Sequence, residues 1–169
     1  MSDIKQAIEG AIGYLNGHPE EGRYTDSEAR AVLGEGLRCT IESPVGPPLA
    51  TDMAESVGGA NSAPSAGWLF RAALASCNAT LIAMRAAQQG VTLERLEVVV
   101  DSESDDRGIL GVDPSVPAGP YAIRVRVEVS APGVDQATLR EIIDWGVAHC
   151  PVCDAAKRPV EVSLDVRAG

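Results

Sequence analysis

Basic side chains are scarce: 14 Lys and Arg stand against 24 Asp and Glu, a formal charge of −10. A chain this acidic lacks the basic footprint that nonspecific binding to nucleic acid or to anionic membranes requires, so neither partner is expected. No apolar run is long and clean enough to span a bilayer. The opening residues, MSDIKQAIEG, lack a basic start followed by an apolar stretch, so no secretory signal is expected. The cytoplasm is the expected location, and there the four cysteines should rest reduced. Histidine is nearly absent, with only His18 and His149, and His18 lies in a loop punctuated by Gly and Pro. No HExxH, GxSxG, P-loop or Rossmann glycine pattern is present, which removes most hydrolases, kinases and nicotinamide enzymes. What remains is sulfur.

The rest of the composition is that of an ordinary folded chain. At roughly 150 residues per domain, the length implies one domain or one domain with a short appendage. Residues 1–28 read as an N-terminal helix and polar lead-in, and 29–169 as a single domain. The apolar fraction of 45% is ordinary, and a chain of 169 residues can bury about 70% of its unfolded surface, so neither a metal nor a disulfide is needed merely to fold.

Periodicity divides the chain into elements. Ile4, Ala7, Ile8 and Ile12 mark a helix that stops around Asn16-Gly17-His18-Pro19. Two strands are expected near Ala29–Leu33 and Gly36–Glu42, with Leu37, Cys39 and Ile41 on one face of the second. Residues 43–67, rich in Pro, Gly, Ser and Ala, read as a long loop holding one strand at Leu49–Met53. Between Leu69 and Ala87, fourteen of nineteen residues are apolar, mostly Ala and Leu. That composition predicts a core helix over Trp68–Gln89, with Ser65 to cap its start and Gly90 its end. Strands are predicted at Leu96–Ser102, Ile109–Val112, Tyr121–Ser130 and, finally, over the alternating Val160, Val162, Leu164 and Val166. Asp135 is placed to cap a helix in which Leu139, Ile142, Ile143, Gly146 and Val147 recur at helical spacing. The class is α+β, one antiparallel sheet packed on a long apolar central helix.

The stretch His149-Cys150-Pro151-Val152-Cys153 carries the most chemistry. Pro151 disfavours helical geometry at Cys150 and fits the first position of a new helix, so Cys150 becomes an N-cap, where unpaired N–H groups favour a thiolate. The competing reading is a buried cysteine closing an apolar stripe. Cys77, in mid-helix, is expected to have its pKa raised by apolar burial and, taken alone, to be inert. Cys39 reads as core. Three sulfur chemistries fit. CxxC is half of a zinc knuckle, but no second CxxC or HxxxH lies at ligand spacing, and only His149, Cys77 or Cys39 are left to complete it. A thioredoxin-type dithiol should follow a strand, whereas this CxxC follows an amphipathic helix. The third is a two-cysteine peroxide reductase, in which a Cys77 sulfenic acid condenses with Cys150 and an external dithiol resets the pair.

The segments APSAGWLFRAALASCNATLIAMRAAQQGV and AHCPVCDAAKRPVEV, with DDRGILGVD and PYAIRVRVEV between them, resemble the OsmC/Ohr family. These are the osmotically inducible and organic-hydroperoxide-resistance proteins, and the resemblance runs from about Ala29 to Val166. It implies an intertwined homodimer whose long central helices are wrapped by sheets from both chains, with active sites at the subunit boundary. It implies a thiol-dependent peroxidase for organic hydroperoxides, with Cys77 as the attacking cysteine and Cys150 as the resolving one. The reductant would be an external dithiol such as a lipoylated protein, and no metal or organic cofactor is implied. The family places a Glu shortly before the central helix, where this chain has Gly67 or Trp68. It also uses an Arg to stabilise the thiolate. The loop from Ser43 to Gly67 has none, so Arg30, by strand alignment, and then Arg38 are the candidates. Cys153 occupies what is usually a Ser position, and a Cys150–Cys153 disulfide is within geometric reach. Two other functions remain open: a noncatalytic member of the fold that binds an apolar ligand or partner, and a dithiol exchanger using Cys150 and Cys153.

Overall fold

The computed structural model describes residues 2–169. The chain divides into two compact units, Glu9–Ala73 and, grouped with residues 2–8, Leu74–Gly169. Helix α1 (Ser2–Gly17) ends where expected, and a short 3-10 turn at Pro19–Gly22 follows it.

In the first of these units, β1 (Arg30–Leu33), β2 (Cys39–Glu42) and β3 (Leu49–Thr51) form an antiparallel meander in the order β1-β2-β3. The second strand starts three residues later than the alternation predicts. Gly36 takes φ +60° and the Gly34 N–H donates to the Arg38 carbonyl at 2.7 Å, so Gly36 and Leu37 belong to the turn. After β3 the chain wraps around the buried Asp52 carboxylate. Its Oδ2 accepts from the Ala60 N–H at 3.2 Å, the Ser62 N–H at 3.0 Å and the Ser62 hydroxyl at 2.7 Å. Its Oδ1 accepts from the Met53 N–H at 2.8 Å.

The boundary between the units falls inside α2 (Ala66–Gln88). The Trp68 N–H donates to Ser65 Oγ at 3.2 Å, and Gly90 ends the helix with φ +72°. Both terminal signals read from the sequence therefore operate. Burial, however, is confined to a stripe at i, i+4 spacing, Leu74, Asn78, Ile82 and Ala86, with Ala87 beside it. Ser76, Thr80 and Ala83 are exposed, so the helix is not enclosed on all sides within this chain.

In the second unit, β4 (Arg95–Glu103) pairs antiparallel with β5 (Ala122–Ser130) in the register Val98↔Val127. Leu96, Val98 and Val127 pack against Ile82, Ala86, Val91, Ala131 and Ile142. The opposite face is charged: Asp101 accepts from Arg124 at 2.7 Å and also pairs with Arg126. Asp135 Oδ1 caps α4 (Gln136–Ala148) by accepting the Thr138 N–H at 2.9 Å. Gly146 lets α4 approach α2 closely, since a Cβ there would come 2.6 Å from Ile82 Cγ1 and 2.8 Å from its backbone nitrogen. A final helix, α5, spans Pro151–Lys157.

Three expectations are corrected. The antiparallel strands form two sheets, one of three strands and one of two, instead of a single sheet. Ile109–Val112 is not a strand. Asp105 accepts the Arg107 N–H and starts a helical turn, α3 (Asp106–Ile109), and Gly111 at φ +66° then reverses the chain. Gly108 is held so close to Pro117 that a Cβ would lie 2.1 Å from the Pro117 carbonyl oxygen. Finally, residues 159–169 carry no regular structure. The alternating Val162 and Leu164 are 90% and 88% exposed, and a strand cannot persist where its backbone has no partner.

Candidate thiol site

Three of the four cysteines meet in the second unit. Leu74, Cys150 and Cys153 form a buried cluster, with Cys77, Val100, Ile123 and Val152 packed against it. Helix α2 supplies Cys77, and the start of α5 supplies the other two. Cys150 takes an extended conformation as the N-cap of α5, Pro151 occupies the first turn, and the Cys153 N–H donates to Cys150 Sγ at 3.3 Å. This is the capping role that the Cys-Pro sequence predicts, because Pro151 has no N–H to leave unsatisfied.

Cys77 packs against the cluster that holds Cys150 and Cys153. Burial pushes the Cys77 thiol up; the Cys150 thiol pushes the same way, and the Val152 N–H only partly offsets them. Burial also pushes Cys150 up, but there the Cys153 N–H, the Cys77 thiol, the Cys153 thiol and the Val152 N–H together outweigh it and bring the pKa down. Of the two, Cys150 is therefore the thiol whose ionisation its surroundings favour, and Cys77 the one they oppose. Accessibility runs the other way. Cys150 is wholly buried, whereas Cys77 is half-buried and can meet a small molecule.

Asn78 is a site residue that sequence reasoning missed. Fully buried, it donates from Nδ2 to the Leu74 carbonyl at 2.7 Å and to Cys153 Sγ at 3.1 Å, and the Cys153 thiol lies 3.6 Å from Asn78 Oδ1 as donor. Its signal was available: it is the lone amide in the apolar stretch, adjacent to Cys77 and one helical turn from Leu74. Burial raises the Cys153 thiol, with Asn78 and Lys157 working against it.

The two candidate arginines lie in the other unit. Arg30 is exposed and pairs with Glu42, its cross-strand partner, at 3.6 Å. Arg38 donates from Nη1 to Ser62 Oγ at 2.8 Å, and Ser62 in turn donates to Asp52. Cys39 is half-buried and opposite Thr51 in the β2–β3 ladder. His149 stacks on Trp145 with ring centroids 3.9 Å apart, and Arg85 lies over the same indole. Among the described residues, no group of three or more His, Cys, Asp or Glu is placed to hold a metal ion. No described helix is long and apolar enough to cross a membrane.

These elements define a class: small antiparallel sheets with helices, one of which brings an internal cysteine to a Cys-Pro helix start. The OsmC-like protein family matches residues 59–165, and the chain belongs to that family. Solved structures share the fold at low identity. An OsmC-like protein from Mycoplasma pneumoniae superposes with a TM-score of 0.66 at 18% identity, over 80% of this chain and 89% of that one. An organic hydroperoxide resistance protein OsmC from Legionella pneumophila gives 0.57 at 19% identity, covering 79% and 92%. The organic hydroperoxide resistance protein OhrB of Bacillus subtilis gives 0.52 at 19%, covering 85% and 98%. Among curated proteins, none matches the chain.

Proposed function

We propose that the protein is a thiol-dependent peroxidase that reduces organic hydroperoxides in the cytoplasm. Cys77 is the attacking residue and Cys150 the resolving one. The observation that carries this reading is the packing of Cys77, which is reachable, against the cluster that holds the buried Cys150. As the Cys77 thiolate forms, its sulfur attacks the O–O bond, the alkoxide leaves and takes a proton to become an alcohol, and Cys77 is left as a sulfenic acid. The adjacent Cys150 sulfur then attacks the sulfenic sulfur, forming the disulfide and releasing water. Two electrons from an external dithiol, such as a lipoylated protein, restore both thiols. Apolar neighbours such as Leu74, Val100 and Ile123 suit a substrate with a hydrocarbon body.

The working unit on this reading is a homodimer. Its support is the apolar surface left uncovered in one chain: Val32, Leu33 and Leu49 on the three-stranded sheet, and Val162, Leu164 and Val166 in the unpaired C-terminal segment. Sedimentation should give twice the 17.6 kDa chain mass, and a monomer at micromolar concentration would refute the assembly.

The enzymatic claim is tested by stoichiometry. Reduced protein given one equivalent of cumene hydroperoxide should release one equivalent of the corresponding alcohol and lose two titratable thiols. Peroxide left unconsumed, with all thiols intact, would overturn it.

A further inference from the structure

The peroxidase reading uses two of the three clustered thiols and leaves Cys153 without a task. Yet Cys153 is firmly held. It is almost wholly buried, its N–H donates to Cys150 Sγ at 3.3 Å, and Asn78 engages its sulfur as donor at 3.1 Å. The three sulfurs thus lie in one cluster, and Asn78 engages the last of them, Cys153. Cys153 also borders a cleft of about 310 Å³ walled by Leu74, Tyr121, Ile123 and Val125, with Lys157 in its lining. Cys153 is the one thiol in that lining among the described residues.

Resting on the proposed peroxidase cycle, we infer that Cys153 is a relay thiol that moves the disulfide from Cys77–Cys150 to Cys150–Cys153, where a dithiol entering the cleft reduces it. The exchange balances within the protein. Cys153 gives up its proton and its sulfur attacks Cys150 Sγ; the S–S bond to Cys77 breaks, and Cys77 leaves as a thiolate and takes a proton. No net oxidation or reduction occurs in this step. The external dithiol then attacks Cys153 Sγ, releases Cys150, and closes to its own disulfide, so that its two electrons leave Cys150 and Cys153 as thiols. Peroxide entry at Cys77 and electron entry at Cys153 are thereby separated, and Cys77 is free for the next peroxide before the reductant has acted. The ligand class for the cleft is a dithiol on an apolar chain.

Two arms test the relay. In the first, wild type and Cys77→Ser are treated with diamide, a two-electron thiol oxidant that needs no peroxide chemistry, and their disulfides are mapped after acid quench. Cys150–Cys153 should form in both, with Cys77 of wild type still open to alkylation. A Cys77→Ser protein that stays reduced, or a wild type that ends with Cys77–Cys150, would overturn the relay. In the second, a quench series after cumene hydroperoxide should show Cys77–Cys150 first and Cys150–Cys153 later, and Cys153→Ser should arrest the series at the first. If Cys77 never reacts with peroxide, the peroxidase reading fails while the diamide arm still decides the exchange. Ala156→Phe, which fills the cleft, should slow re-reduction of Cys150–Cys153 by dithiothreitol about fivefold or more by restricting access. An unchanged rate would remove the cleft as the path.

Discussion

The Asp52 loop and the thiol cluster both direct backbone N–H groups at a buried acid, with opposite results. At Asp52 the Ser62 backbone N–H and hydroxyl, with the Met53 and Ala60 N–H groups, overcome burial and hold the carboxyl down to about 2. At Cys77 burial prevails, and the thiol remains protonated. The difference lies in the number and hardness of the contacts. A carboxylate spreads its charge over two oxygens that four donors can reach, whereas the large sulfur of Cys77 receives the Val152 N–H and faces two other thiols. A group ionised throughout the physiological range is a fixed anchor for a loop. A set of clustered thiols is instead poised for exchange.

The largest test of that contrast is Cys77→Ser, which should lower hydroperoxide consumption by at least about 10³-fold, as loss of a nucleophile does. Cys150→Ser should still react once, leaving a sulfenic acid on Cys77 that dimedone traps. Consumption by Cys77→Ser at the wild-type rate would place the chemistry elsewhere. Next is pH. With the Cys77 thiol above its ordinary value, its thiolate fraction, and so the rate of peroxide attack, should rise roughly tenfold per unit between pH 6 and 8. A rate already flat there would mean that Cys77 rests ionised and that the contrast with Asp52 is wrong. A smaller effect is expected for Asn78→Ala, which opens a cavity and unpairs Cys153. It should cost about 2–3 kcal/mol in denaturant unfolding. The smallest belongs to Asp52. Its folded pKa is depressed, so the stability it contributes is present above its ordinary value of 3.8 and is lost as pH falls toward 2. Asp52→Asn should flatten that acid limb of the melting temperature while leaving the peroxide rate unchanged.

Much of this architecture was legible because it depends on local signals. Ser65 and Gly90 bracket the central helix, Asp135 caps α4, and Cys150-Pro151 starts α5, each through contacts within a few residues. The β4–β5 alternation likewise reads directly as one apolar and one charged face. Misreadings arose where a pattern needs a distant partner. Ile109–Val112 has strand composition, but Asp105 and the contact of Gly108 with Pro117 impose a helical turn. Val160–Val166 alternates as a strand should and pairs with no strand among the described residues. That Cys77 meets Cys150 was one of three sulfur chemistries the residues allowed, and the family resemblance favoured it, since nothing within α2 or α5 alone encodes their contact. Asn78 escaped notice because an amide in an apolar helix looks like a defect until its partner sulfur is visible.

The central claim is that Cys77 and Cys150 are a reacting pair. Reduced protein should be mixed with one equivalent of cumene hydroperoxide, acid-quenched within the first turnover, alkylated and digested. The account predicts a crosslinked peptide joining Cys77 to Cys150 as the earliest disulfide. Consumption of the peroxide with Cys77 recovered fully alkylated at every time point would contradict it.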